Sequence, residues 1–80
     1  MKADKIFKKY GWHKQDNPDS EGDEIKMILF YVKDGVYITF FEDKTIGFHC
    51  ATRGYMTTLN IEEVEAIKLK IKELGWLIWV

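Results

Sequence analysis

The sequence predicts a two-layer α+β fold of order α-β-β-β-α. A three-stranded antiparallel meander packs under two helices, with room for an extra C-terminal strand. Three observations carry this. Asp34-Gly35 separates two runs, Ile25–Lys33 and Val36–Glu42, that are rich in β-branched and aromatic residues. Such a dipeptide takes the two positive-φ positions of a type I′ turn, whose twist matches the flanking strands. Asn60 and Glu63 stand as a capping box ahead of an apolar helical stripe. Gly11-Trp12 and Gly75-Trp76 each follow a helical pattern, as a C-capping Gly and the residue that folds back do.

Helix 1 is expected over Ala3–Tyr10. Ala3, Ile6, Phe7 and Tyr10 share one face, and Lys2, Lys5, Lys8 and Lys9 take the other. Gly11 ends it, and Trp12 packs back onto Phe7. Gln15–Glu24, with Pro18 and Gly22, reads as a polar loop. Strands follow at Ile25–Lys33, Val36–Glu42 and Thr45–Thr52, the last after a short turn at Asp43-Lys44. Helix 2 begins after Asn60 and ends at Leu74. Ile61, Val64, Ile67, Ile71 and Leu74 form its expected buried stripe. Glu62, Glu63 and Glu65 lie near the positive end of its dipole, and Lys68, Lys70 and Lys72 toward the negative end. Trp76–Val80 is too apolar to hang free. It is expected to pack as a strand beside Ile25–Lys33, with Trp79 largely buried.

The two-residue turn sets the register: Val32 faces Tyr37 and Tyr31 faces Ile38. Carried across Asp43-Lys44, it gives two faces. One holds Ile28, Phe30, Val32, Tyr37, Thr39, Phe41, Ile46, Phe48 and Cys50. The other holds Met27, Leu29, Tyr31, Val36, Ile38, Phe40, Gly47 and His49. The first is the more apolar and is expected to be the core under the helices. Three strands span roughly 14 Å. Two helices cover one such face and leave none for the other. Met27, Leu29, Tyr31, Ile38 and Phe40 are therefore the candidate partner-binding residues, for another protein or a second copy.

Eighty residues make one domain, residues 1–80. A hydrophobic share of 46% excludes a disordered chain. A net charge of −1 gives no global field for nucleic acid, and Arg53 is the only Arg. One cysteine, Cys50, forbids an internal disulfide and fits a reducing cytoplasm. Met1–Lys9 lacks an apolar signal core, and no run is long enough to span a membrane.

No catalytic, cofactor or metal site is legible. His49 and Cys50 are adjacent strand residues, so they point to opposite faces and form no dyad. Asn17–Gly22 has oxygens at alternate positions, but Ile28 stands where a calcium loop needs a bidentate Glu. No Gly-rich phosphate loop, zinc-ligand spacing or nucleophile elbow is present. The element order is that of double-stranded-RNA-binding domains. Their second helix opens on a basic cluster, whereas here it opens on Glu62-Glu63-Val64-Glu65.

Lys2-Ala3-Asp4-Lys5-Ile6-Phe7-Lys8-Lys9-Tyr10-Gly11-Trp12, and Ile61–Ile67 with Lys72-Glu73-Leu74-Gly75-Trp76, resemble a group of short uncharacterised proteins in phages and prophages of low-GC Gram-positive bacteria. The resemblance implies a phage accessory context, hence a host cytoplasm, and brings no catalytic residues. The functional expectation is a non-catalytic protein-interaction module, a phage-encoded modulator of a host protein. The alternative is a small nucleic-acid-binding domain that stacks bases on an aromatic sheet face.

Overall fold

The computed structural model describes residues 2–18, 22, 25–51 and 58–76. The fold is α+β, with elements α1 (Lys2–Lys9), β1 (His13–Asp16), β2 (Met27–Lys33), β3 (Val36–Phe41), β4 (Ile46–Cys50) and α2 (Ile61–Glu73). The chain divides into two compact units. One joins Met1–Gly11 to Thr58–Val80, and the other is Trp12–Thr57.

In the first unit, α1 and α2 pack against each other. At one end Tyr10 Oη donates to Glu62 Oε1 at 2.7 Å, and Lys9 Nζ lies 3.2 Å from Glu62 Oε2. At the other, Ala3 N–H donates to Glu73 Oε2 at 3.2 Å. The start of each helix thus meets the end of the other, so the pair is antiparallel. Glu73 satisfies one of the first-turn N–H groups of α1 that no intrahelical carbonyl can reach. Asn60 Oδ1 accepts from Glu63 N–H, and Glu63 Oε1 accepts from Asn60 N–H, which completes the expected capping box. Gly75, at φ +79°, ends α2 in a Schellman turn: its N–H donates to Lys72 O, and Trp76 N–H donates to Ile71 O.

The expected α2 stripe is corrected. Its buried residues are Glu63, Ala66 and Lys70, whereas Ile61 and Val64 are 78% and 40% exposed. Lys70 Nζ lies 3.1 Å from both Asp4 Oδ1 and Glu73 Oε1. Two carboxylates compensate the cation, so a lysine can occupy the buried line. Ala3 and Ala66, both fully buried, carry small side chains that suit close packing of the two helices.

In the second unit the sheet order is β1-β2-β3-β4, antiparallel throughout. The β2–β3 hairpin has the expected register, with Val32 opposite Tyr37 and Tyr31 opposite Ile38. Asp34 and Gly35 take φ +50° and +79°, as a type I′ turn requires. Three features depart from expectation. His13–Asp16 is a strand, not part of a loop, and pairs with the edge of β2 expected for the C-terminal tail. The tail residues, Leu77–Val80, lie outside the described residues. A bulge at Ile28 places Met27 opposite Phe41. Third, β4 is displaced by one residue. Phe41 N–H donates to Thr45 O and Lys44 N–H to Phe41 O, so the loop is Glu42-Asp43-Lys44, with Lys44 at φ +68°. This is the three-residue hairpin pattern that ends on a left-handed residue. A shift of one residue turns every side chain of a strand to the other face. Ile46, Phe48 and Cys50 thus face with Ile38, and Gly47 and His49 face with Tyr37.

Candidate functional site

Leu29, Tyr31, Ile38 and Phe40 are the buried core of the sheet. Tyr31, Ile38 and Phe40 are 0% exposed and Leu29 4%. Tyr31 and Phe40 meet edge-to-face, with ring centroids 6.1 Å apart. The face expected to lie open is therefore the covered one, and these four residues do not present a docking surface. Met27 does not belong with them, because the bulge turns it to the opposite face with Phe41.

The open face is the one expected to be core. Cross-strand pairing sets His13, Val32, Tyr37 and His49 in one row across the sheet. Gln15, Phe30, Thr39 and Gly47 form the next row. Met27 and Phe41 extend it. Met27, Phe30, Val32, Tyr37 and Phe41 are all half-buried, while His13, Gln15 and His49 are exposed. Phe30 and Tyr37 meet edge-to-face at 5.4 Å, and the Tyr37 and His49 rings lie 6.2 Å apart at a tilt. The Phe41 ring lies over Gly47, where an added Cβ would come within 3.0 Å of it. Gly47 is thus the space that lets the aromatic surface continue from β3 onto β4. No Asp, Glu, Lys or Arg belongs to this face among the strand residues. Both histidines of the chain do.

The other sequence candidates fall elsewhere. His49 and Cys50 are both exposed and on opposite faces. Asn17–Gly22 lies partly outside the described residues. Among the described residues, no group of three or more His, Cys, Asp or Glu side chains is placed to hold a metal ion. The basic face of α1 is exposed, and Lys9 is paired with Glu62. The Tyr10 hydroxyl, and then Lys9, hold the Glu62 carboxyl below its usual range. The same hydrogen bond raises the Tyr10 phenol, and Glu62 raises Lys9. Such an arrangement ties α1 to α2 and leaves a weaker cationic surface than the four lysines suggest. No helix among the described residues is long and apolar enough to cross a membrane.

Sequence reasoning missed the open face because it placed β4 one residue out of register. No sequence signal separates the two registers, because Gly47 stands opposite Phe40 in the expected one and beside the Phe41 ring in the observed one, and accommodates a large ring in both. No family model, curated protein or solved structure matches the chain.

Proposed function

We propose that this chain is a non-catalytic protein-interaction module, a phage-encoded modulator of a host protein. It docks through the sheet face that carries Phe30, Tyr37 and Phe41. The observation behind this reading is the inequality of the two faces. One buries Leu29, Tyr31, Ile38 and Phe40 within the folded chain. The other joins Met27, Phe30, Val32, Tyr37 and Phe41 into a continuous, uncharged surface that stays partly open. Aromatic residues and Met are enriched in interface cores, and charged residues are depleted there. The same face would stack bases, but among its strand residues it has no cation to meet a phosphate. That supports a protein partner over single-stranded nucleic acid.

The test uses the immobilised full chain and a lysate of a low-GC Gram-positive host. The wild type is expected to retain one protein that Tyr37→Asp does not. Retention is expected to persist from about 50 to about 500 mM salt, because apolar contacts release no counterions. Loss of the captured species on nuclease treatment, or a steep decline with salt, would instead favour nucleic acid.

A further inference from the structure

We propose that Lys70 and Asp4 join in an isopeptide bond, which staples α1 to α2 covalently. The site lies within the helix pair and needs no free surface. It is independent of the docking reading, so the two fail separately.

Three groups meet where α1 begins and α2 ends. Lys70 Nζ lies 3.1 Å from Asp4 Oδ1 and 3.1 Å from Glu73 Oε1. The Lys70 side chain is 1% exposed, that of Glu73 20% and that of Asp4 30%. Glu73 is itself held, because its Oε2 accepts from the Ala3 N–H. Its Oε1 is buried and makes no hydrogen bond among the described residues, although the Lys70 nitrogen stands beside it. A buried carboxylate oxygen with an unused lone pair, next to an amine, is placed to accept a proton. A pair kept only for its charges gains little from such burial, because desolvation offsets the attraction. Condensation removes both charges and leaves a neutral amide.

The atoms for that reaction are in place. Lys70 Nζ passes one proton to the Asp4 carboxylate, which sets a neutral amine beside a neutral acid. A buried, low-dielectric site favours that exchange. The amine attacks Asp4 Cγ, one bond from the oxygen that is already 3.1 Å away. Glu73 Oε1 takes a second proton from the nitrogen and returns it to the departing Asp4 hydroxyl. The bond formed is Nζ–Cγ, the bond broken is Cγ–O, and water leaves at the part-exposed Asp4. Glu73 ends as it began, and no oxidant or cofactor takes part. Amide formation in water is unfavourable between separate molecules. Groups held in reacting geometry reach effective molarities of about 10⁵–10⁸ M, which offsets this.

The bond closes the chain on itself. The helix unit joins Met1–Gly11 to Thr58–Val80, and Trp12–Thr57 lies between them in sequence. A link from Asp4 to Lys70 encloses that whole segment in a covalent ring, which restricts the unfolded chain. A domain this small has a limited core and benefits most from a staple. Its one cysteine forbids an internal disulfide. A lysine–aspartate amide needs no oxidising compartment.

Intact-mass spectrometry of the full chain, after several days at neutral pH, tests the proposal. The wild type is expected to weigh one water less than its sequence, with fragmentation joining the peptides that carry Asp4 and Lys70. Asp4→Asn is expected to form the same bond by losing ammonia, so its product has the mass of the bonded wild type. Lys70→Arg keeps the cation without a reactive amine and is expected to keep its full mass. Glu73→Gln removes the proton acceptor and is expected to slow the loss of water about 100-fold or more. A wild type at its full sequence mass overturns the proposal, whatever the variants do. Asp34-Gly35 can lose the same water by closing to a succinimide. A deficit that fragmentation places there, or that Lys70→Arg retains, therefore overturns it as well. So does a link from Lys70 to Glu73 in place of Asp4.

Discussion

Asp34-Gly35 joins β2 to β3 with two residues, and Glu42-Asp43-Lys44 joins β3 to β4 with three. Both loops turn antiparallel strands, and both use positive φ: Asp34 and Gly35 in the first, Lys44 in the second. The first advertises itself, because Asp-Gly between strand-forming runs has few other uses. The second does not, because Lys carries no preference for the left-handed region. Reading it as a two-residue turn moves Ile46, Phe48 and Cys50 to the Phe30 face. That face then looks the more apolar of the two. With the third residue counted, the same three side chains join Leu29, Tyr31, Ile38 and Phe40, and the burial order reverses. Whether a loop holds an even or an odd number of residues thus decides which face each side chain of the following strand joins.

The sharpest break of this comparison is a pair of neighbours in β3. Phe40 is completely buried and edge-on to Tyr31, while Phe41 faces the open side. Phe40→Asp is expected to cost about 3–5 kcal/mol, from lost packing and an unpaired buried charge. That is comparable to the whole stability of a domain this size. Phe41→Asp is expected to cost about 1 kcal/mol. Urea unfolding of both variants measures the difference. Equal losses would mean that the two faces of the sheet are equally buried.

Much of the fold was legible, and what was not has physical causes. The first hairpin, the capping box at Asn60 and the Gly75 terminator are local chemistry, specified by residues within a few positions of each other. β1 is different. His13-Lys14-Gln15-Asp16 has no apolar alternation, and it is a strand because β2 offers it an edge. The bulge at Ile28 leaves no composition signal, yet it removes Met27 from the Leu29 group. In α2 the apolar stripe was clear but was not the buried line. Lys70 is 1% exposed because Asp4, distant in sequence, and Glu73 neutralise it. A pattern that prices Lys as polar cannot foresee a partner from the other end of the chain. The candidate surface failed for the same reason as β4: it depended on a register carried through a loop without a sequence signature.

The first loop is expected to be the less forgiving of the two. Gly35 sits at φ +79°, where a β-branched residue is strained. Gly35→Val is expected to destabilise by about 1–3 kcal/mol, read as a lower urea midpoint at unchanged slope. An unaltered midpoint would show that the turn tolerates a residue that a type I′ geometry should reject, and the β2–β3 register would lose its anchor.

The smallest effect is the most diagnostic of the second loop. Lys44 is exposed and holds φ +68°, a conformation that disfavours residues with a Cβ. Neighbouring bonds keep it there: its N–H donates to Phe41 O, and Asp43 Oδ1 accepts from the Thr45 N–H and hydroxyl. Lys44→Gly removes the strain and leaves those bonds in place. It is expected to stabilise by about 0.5–1 kcal/mol. Asp34→Gly is the matched control, since Asp34 also has positive φ, at +50°. Asp tolerates that region better, because its short side chain bonds the local backbone. Its replacement is expected to change stability by less than about 0.5 kcal/mol. A gain at Lys44 without one at Asp34 supports a three-residue loop ending on a left-handed residue. Loss of stability at Lys44→Gly would mean that this residue is not left-handed in solution, and the phase of β4 would have to be redrawn.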